Sequence, residues 1–116
     1  MKKDYKTTTE ELYSNVLLLG EALPDVMGSF HQTMAHAWKD GAVSKKNKEL
    51  IATALAVAAG CEGCIGVHTQ SLVKSGVTRQ ELVEVLGVAV CMGGGPAVMQ
   101  AGEALKSFDQ FAAAGN

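Results

Sequence analysis

Arginine is almost missing from this chain of 116 residues: Arg79 is the only one, and the formal net charge is −2. A nucleic-acid surface needs a basic stripe to neutralise phosphates, so no nucleic-acid partner is expected. Aromatic residues are equally scarce, 5% against 47% apolar residues overall, so a core must be assembled from Ala, Val, Leu and Met. No segment alternates apolar and polar residues at period two, and no Asn-Gly pair marks a hairpin, which leaves an all-helical reading. After Met1-Lys2-Lys3-Asp4-Tyr5-Lys6 no apolar stretch begins before Val16, so neither a secretory leader nor a membrane span is expected and the chain reads as cytoplasmic. There are only three cysteines. In a reducing compartment a Cys-x-x-Cys among them is catalytic or metal-binding and not a structural staple.

What is present is helical periodicity. A chain of this length buries roughly 65% of its unfolded surface, enough for one core, so a single domain over residues 1–116 is expected. Thr8 and Glu11 are spaced as a capping box for a first helix over residues 9–22, with Leu12, Val16, Leu19 and Leu23 on its apolar face. Pro24 opens a second helix whose buried side would be Val26, Met27, Phe30, Met34, Ala37 and Trp38, and Gly41 would end it. Ser44 can cap a third helix. Lys45, Lys46 and Lys48 read as its solvated start, and its apolar run Leu50 to Ala59 makes it central. Gly60 breaks it, and a fourth helix runs from about Cys61 to Ser75. Thr78 and Glu81 form a second capping box, opening a fifth helix whose wide apolar surface, Leu82 to Met92, suggests burial against another subunit. Pro96 begins a sixth helix carrying Val98, Met99, Gly102, Leu105 and Phe108, and the tail from Ala112 frays. The expected fold is a compact bundle of about six helices.

The chemistry concentrates in Cys61-Glu62-Gly63-Cys64-Ile65-Gly66-Val67-His68. On a helix Cys64 and His68 are i and i+4 neighbours, and Cys61 falls about 20° of arc from His68. A thiol near a helix N-terminus and beside an imidazole loses its proton more readily, and a second thiol three residues away can close a disulfide on the first product. Glu49, twelve residues before Cys61, could orient or charge His68, or take a thiol proton through water. The same set of Cys61, Cys64, His68 and Glu49 also admits a metal site or plain buried thiols. Cys91 reads as a small buried hydrophobe. His31 and His36, five apart and off one another's face, read as ordinary polar or partly buried histidines. Met27, Met34, Met92 and Met99 read as core filling, with some of them lining a substrate channel as the alternative. Gly93-Gly94-Gly95 reads as a turn, since no strand precedes it and no Lys-Ser or Lys-Thr follows to hold phosphate.

Glu49, eleven residues, Cys61-x-x-Cys64, three residues and His68 together resemble the alkylhydroperoxidase D-like branch of the carboxymuconolactone decarboxylase family. The likeness extends over roughly residues 25–110, including the Ala-rich helix before the cysteines and the Gly76-Val77-Thr78 start before Glu81. It implies all-helical homo-oligomers, trimers or hexamers, that reduce small hydroperoxides or disulfides. It also implies no bound cofactor and an external dithiol donor of the dihydrolipoamide kind. Carried over by position, Cys64 would attack the peroxide, Cys61 would close the disulfide, and Glu49 with His68 would relay the proton. Two departures stand out. The longer alkylhydroperoxidase carries two helical units per chain and has a histidine between its cysteines, where this chain has Glu62-Gly63. Other readings are a decarboxylase acting on a muconolactone-like acid, although those relatives generally lack the Cys pair, and a non-enzymatic metal-binding module.

Overall fold

Asp4, not Thr8, starts the first helix. The computed structural model describes residues 3–115; Met1, Lys2 and Asn116, which the sequence reading placed in a charged start and a fraying end, lie outside them. The Asp4 carboxylate accepts from the Lys6 and Thr7 backbone N–H groups and from the Thr7 hydroxyl. A carboxylate has more acceptor sites than a threonine hydroxyl and a charge that suits the positive helix end, so the helix begins four residues before the expected boundary. The first helix, α1, is Tyr5–Ala22. The Gln110 side chain then grips both sides of that start, accepting from Tyr5 N–H at 2.8 Å and donating to the Lys3 carbonyl at 2.7 Å.

Five more helices follow among the described residues: α2 Pro24–Ala37, α3 Lys45–Ala59, α4 Glu62–Lys74, α5 Arg79–Gly93 and α6 Gly95–Ala113. Pro24 supplies the pre-set first turn of α2. That helix stops at Ala37, with Trp38 as its C-cap, several residues short of Gly41. Ser44 caps α3 through Asn47 N–H. Thr78 and Glu81 form the reciprocal capping box of α5. Of the triple glycine, only Gly94, at φ 71°, lies between helices.

The core sits where α4 and α6 pack together with α3 and α5. Ile65, Leu72, Leu82, Ala104 and Phe111 are almost wholly buried there, and Thr69 and Ser107 join their hydroxyls at 2.6 Å inside it. Alanines along α6 let the helices approach closely. Much of the expected core is not core in one protomer. The apolar stripe of α2 is unburied, and α2 packs only on α1 among the described helices. On α1 and at its C-cap, Leu19 and Leu23 are exposed, while Leu12 and Val16 are half-buried. One side of α3 is buried, but Ile51 and Leu55 face outward. Cys91 is a free, exposed cysteine, correcting its reading as a buried hydrophobe. Met92 and Met99 are 81% and 73% exposed and so do not fill the core. Periodicity marks an apolar face without saying whether the same chain covers it.

Glycines set the distance between α1 and α4. A Cβ on Gly63 would stand 3.1 Å from Leu12 Cδ1, and one on Gly66 would overlap Thr9 Oγ1, a buried oxygen without a hydrogen-bond partner among the described residues. Gly66→Ala should therefore destabilise by about 1–3 kcal/mol, as overpacking does. Thr9→Ala, which removes the obstructing atom, should cancel most of that cost. A double-mutant cycle by denaturant unfolding checks this, and additive effects would contradict the contact.

Candidate active site

The α3 end decides where the cysteines lie. Gly60 adopts the left-handed conformation, φ 71°, that side chains with a Cβ disfavour. Its N–H donates to Val57 O at 3.3 Å, and Cys61 N–H donates to Ala56 O at 3.0 Å. This paired closure satisfies the last carbonyls of α3 and turns the chain at once into α4. Cys61 becomes the N-cap residue of α4, outside the helix proper, and its side chain makes no cap hydrogen bond. Cys64 lies in the first turn. The two are joined in a disulfide, with Cα atoms 5.3 Å apart. The free backbone N–H groups and the positive end of α4 favour negative charge on a sulfur released there.

His68 lies one turn beyond Cys64. Across the helix pair, α3 contributes Glu49, a buried residue whose Oε2 stands 3.3 Å from His68 Nδ1. With Nδ1–H donating to that carboxylate, the other ring nitrogen has no hydrogen-bond partner among the described residues. All four residues singled out in the sequence thus meet at one place. With both sulfurs in the disulfide, no three His, Cys, Asp or Glu side chains among the described residues converge as metal ligands.

The site opens on a cavity of about 510 Å³ between α1, α2 and α4. Leu12, Val16, Met27, Phe30, Met34 and Val67 make its apolar wall, and Cys64 and His68 lie at its edge. Tyr13, His31, Thr33 and Trp38 are there too. Sequence reasoning passed over these four as site residues. They come from other helices, and nothing in their spacing separates a cavity face from a core face. Burial, and secondarily the Glu49 charge, pushes the Tyr13 hydroxyl above its ordinary ionisation range. His31, read like His36 as an ordinary polar or partly buried histidine, is exposed and lines this cavity, while His36 is exposed without lining it. Met27 and Met34 line it rather than filling a closed core.

Fold and site together define an all-helical protein with a Cys-x-x-Cys disulfide beside a Glu-His couple. Residues 24–107 match the model of the carboxymuconolactone decarboxylase family, and the chain belongs to that family. It is 42% identical to an uncharacterized protein of Cupriavidus necator over 94% of this chain and 96% of that one. The apo crystal structure of a carboxymuconolactone decarboxylase family protein from Legionella pneumophila superposes with a TM-score of 0.90 at 48% identity. That match covers 92% of this chain and 96% of the other. A Thermotoga maritima member of the family, described as having a possible part in an antioxidative response, superposes with a TM-score of 0.72 at 19% identity. It covers 85% of this chain and 91% of that one, a likeness that bears on the fold alone. No helix among the described residues is long and apolar enough to cross a membrane.

Proposed function

We propose that this chain is a thiol peroxidase and disulfide oxidoreductase of the alkylhydroperoxidase D-like branch. The observation that carries the reading is the Glu49–His68 pair set beside a Cys61–Cys64 disulfide at a helix N-terminus. In the reduced protein His68, held by Glu49, takes the Cys64 proton, and the electron pair stays on sulfur. The thiolate attacks the outer oxygen of a hydroperoxide, the O–O bond breaks, and the alcohol leaves with a proton, so that Cys64 becomes a sulfenic acid. The Cys61 thiol displaces water from it and closes the disulfide. An external dithiol of the dihydrolipoamide kind then reduces that bond, itself becoming a disulfide. No bound cofactor enters this cycle, and the reducing environment it needs fits a cytoplasmic setting.

Hydroperoxide consumption with dihydrolipoamide as donor tests the proposal. Sustained turnover that requires the dithiol is the expected result. Absence of turnover in a protein whose Cys pair still cycles would shift the reading to disulfide reduction. Consumption of a muconolactone by a protein lacking both thiols would support the decarboxylase alternative.

The catalytic unit in this proposal is a homo-oligomer, a trimer or hexamer. Its support is the amount of apolar surface one protomer leaves open: Leu17 and Leu18 on α1, Val26 and Phe30 on α2, Ile51 and Leu55 on α3, and Val88 and Met92 on α5. So much exposed apolar surface is more than a lone small domain ordinarily tolerates. Light scattering at micromolar concentration should give the mass of several 12.1 kDa protomers; a monomer there would refute the assembly.

A further inference from the structure

The chain has one tryptophan, and the fold lays it against the histidine of the site. Trp38 closes the C-terminal end of α2, far in sequence from α4. Its indole lies 4° from parallel with the His68 imidazole, the ring centroids 6.0 Å apart, which is an offset stack. The same imidazole is tied at Nδ1 to Glu49. A histidine ring has two soft torsions. The carboxylate fixes the direction of one edge, and the flat neighbour fixes the plane of the ring.

The indole is not placed by its own hydrogen bond. Its Nε1 is buried without an acceptor among the described residues, a cost that packing and stacking have to offset. Trp38 also lines two hollows. One is the cavity that Cys64 also lines, and the other is a smaller hollow of about 170 Å³ bounded by Lys48, Ile51 and Leu55. A large flat side chain at this point both walls the cavity and presents a π face to His68.

We propose that Trp38 is a positioning residue for His68. Stacking holds the imidazole so that the nitrogen opposite Glu49 stays toward the cavity edge where Cys64 lies. It also stabilises the imidazolium formed when the Cys64 S–H bond breaks and the proton moves to that nitrogen, because an indole face attracts a cation. The inference rests on the thiol chemistry proposed above, but only on this proton transfer and not on the identity of the oxidant.

The test follows alkylation of Cys64 by iodoacetamide at neutral pH in reduced protein carrying Cys61→Ser and Cys91→Ser, so that one thiol remains. Trp38→Leu should slow alkylation about 3- to 30-fold, the range of a stacked cation–π contact. Trp38→Phe, which keeps a flat face, should recover most of the rate. With His68→Gln already in place, Trp38→Leu should change nothing further. Equal rates for Trp and Leu at this position would overturn the inference. So would a Leu effect that persists with His68→Gln, since packing or access would then explain it. If wild-type alkylation depends on both Trp38 and His68 while no hydroperoxide is consumed, the positioning role stands and the oxidant assignment fails. Peroxide turnover indifferent to every Trp38 variant, with unchanged alkylation, would sink the positioning role alone.

Discussion

Cys64→Ser is expected to lower dithiol-dependent hydroperoxide turnover by at least about 10³-fold, the scale on which removal of a nucleophile acts. A serine hydroxyl at the same position keeps its proton at neutral pH, and no helix end or imidazole brings it near the thiolate's reactivity. Cys61→Ser should behave differently. The first attack remains possible, so one equivalent of peroxide is consumed quickly, after which the sulfenic acid has no internal thiol to close on and steady turnover stalls. Rapid-mixing kinetics distinguish a burst from a flat trace. A burst in Cys64→Ser and none in Cys61→Ser would reverse the order of attack.

Glu49→Gln should reduce turnover by about 10²-fold or more, in the range general acid–base catalysis supplies. Gln fills the same volume but cannot stabilise an imidazolium across the 3.3 Å contact with His68. A second readout comes from Tyr13, whose hydroxyl is held above its usual range first by burial and then by the Glu49 charge. Removing the charge should lower the Tyr13 titration partway, not fully, toward an ordinary tyrosine. Absorbance titration of the phenolate resolves this against Tyr5, which burial and the Glu103 carboxylate also hold high. The sign for stability follows. Both phenols resist ionisation in the folded state, so the stability they contribute is complete below about pH 10, where unfolded tyrosine begins to ionise, and is lost as pH rises beyond it. Glu49→Gln should weaken that alkaline loss. Turnover close to wild type in this variant would remove Glu49 from the proton path.

The helical character and the closeness of Cys61, Cys64 and His68 were legible because each depends on short-range order. Cys64 and His68 are one turn apart by helix geometry alone, and Gly60 announces the break that delivers Cys61. Glu49 needed more, since its meeting with His68 depends on two helices crossing, and only its register with the cysteines pointed there. Trp38, Tyr13 and His31 were beyond reach for the same reason without that help. Their partners lie on distant helices, and an apolar stripe such as Met27-Phe30-Met34 reads identically whether it faces a core, a cavity or another protein. The misread start of α1 has a local cause: an aspartate at position 4 outcompeted the later threonine.

The uneven anchoring of α2 carries a kinetic meaning. Its fourteen residues contribute a whole wall of the cavity and lead into Trp38, yet none is buried and α1 is its sole helical neighbour among the described residues. Local unfolding free energies track the apolar contacts a segment makes, so in a lone protomer α2 belongs to the first cooperative unit to open, and an assembly that covers Val26 and Phe30 would hold it closed. In a protomer whose α2 is uncovered, the lifetime of that cavity wall is set by the breathing of this one helix. Whatever slows that breathing raises the fraction of molecules competent to react at any instant.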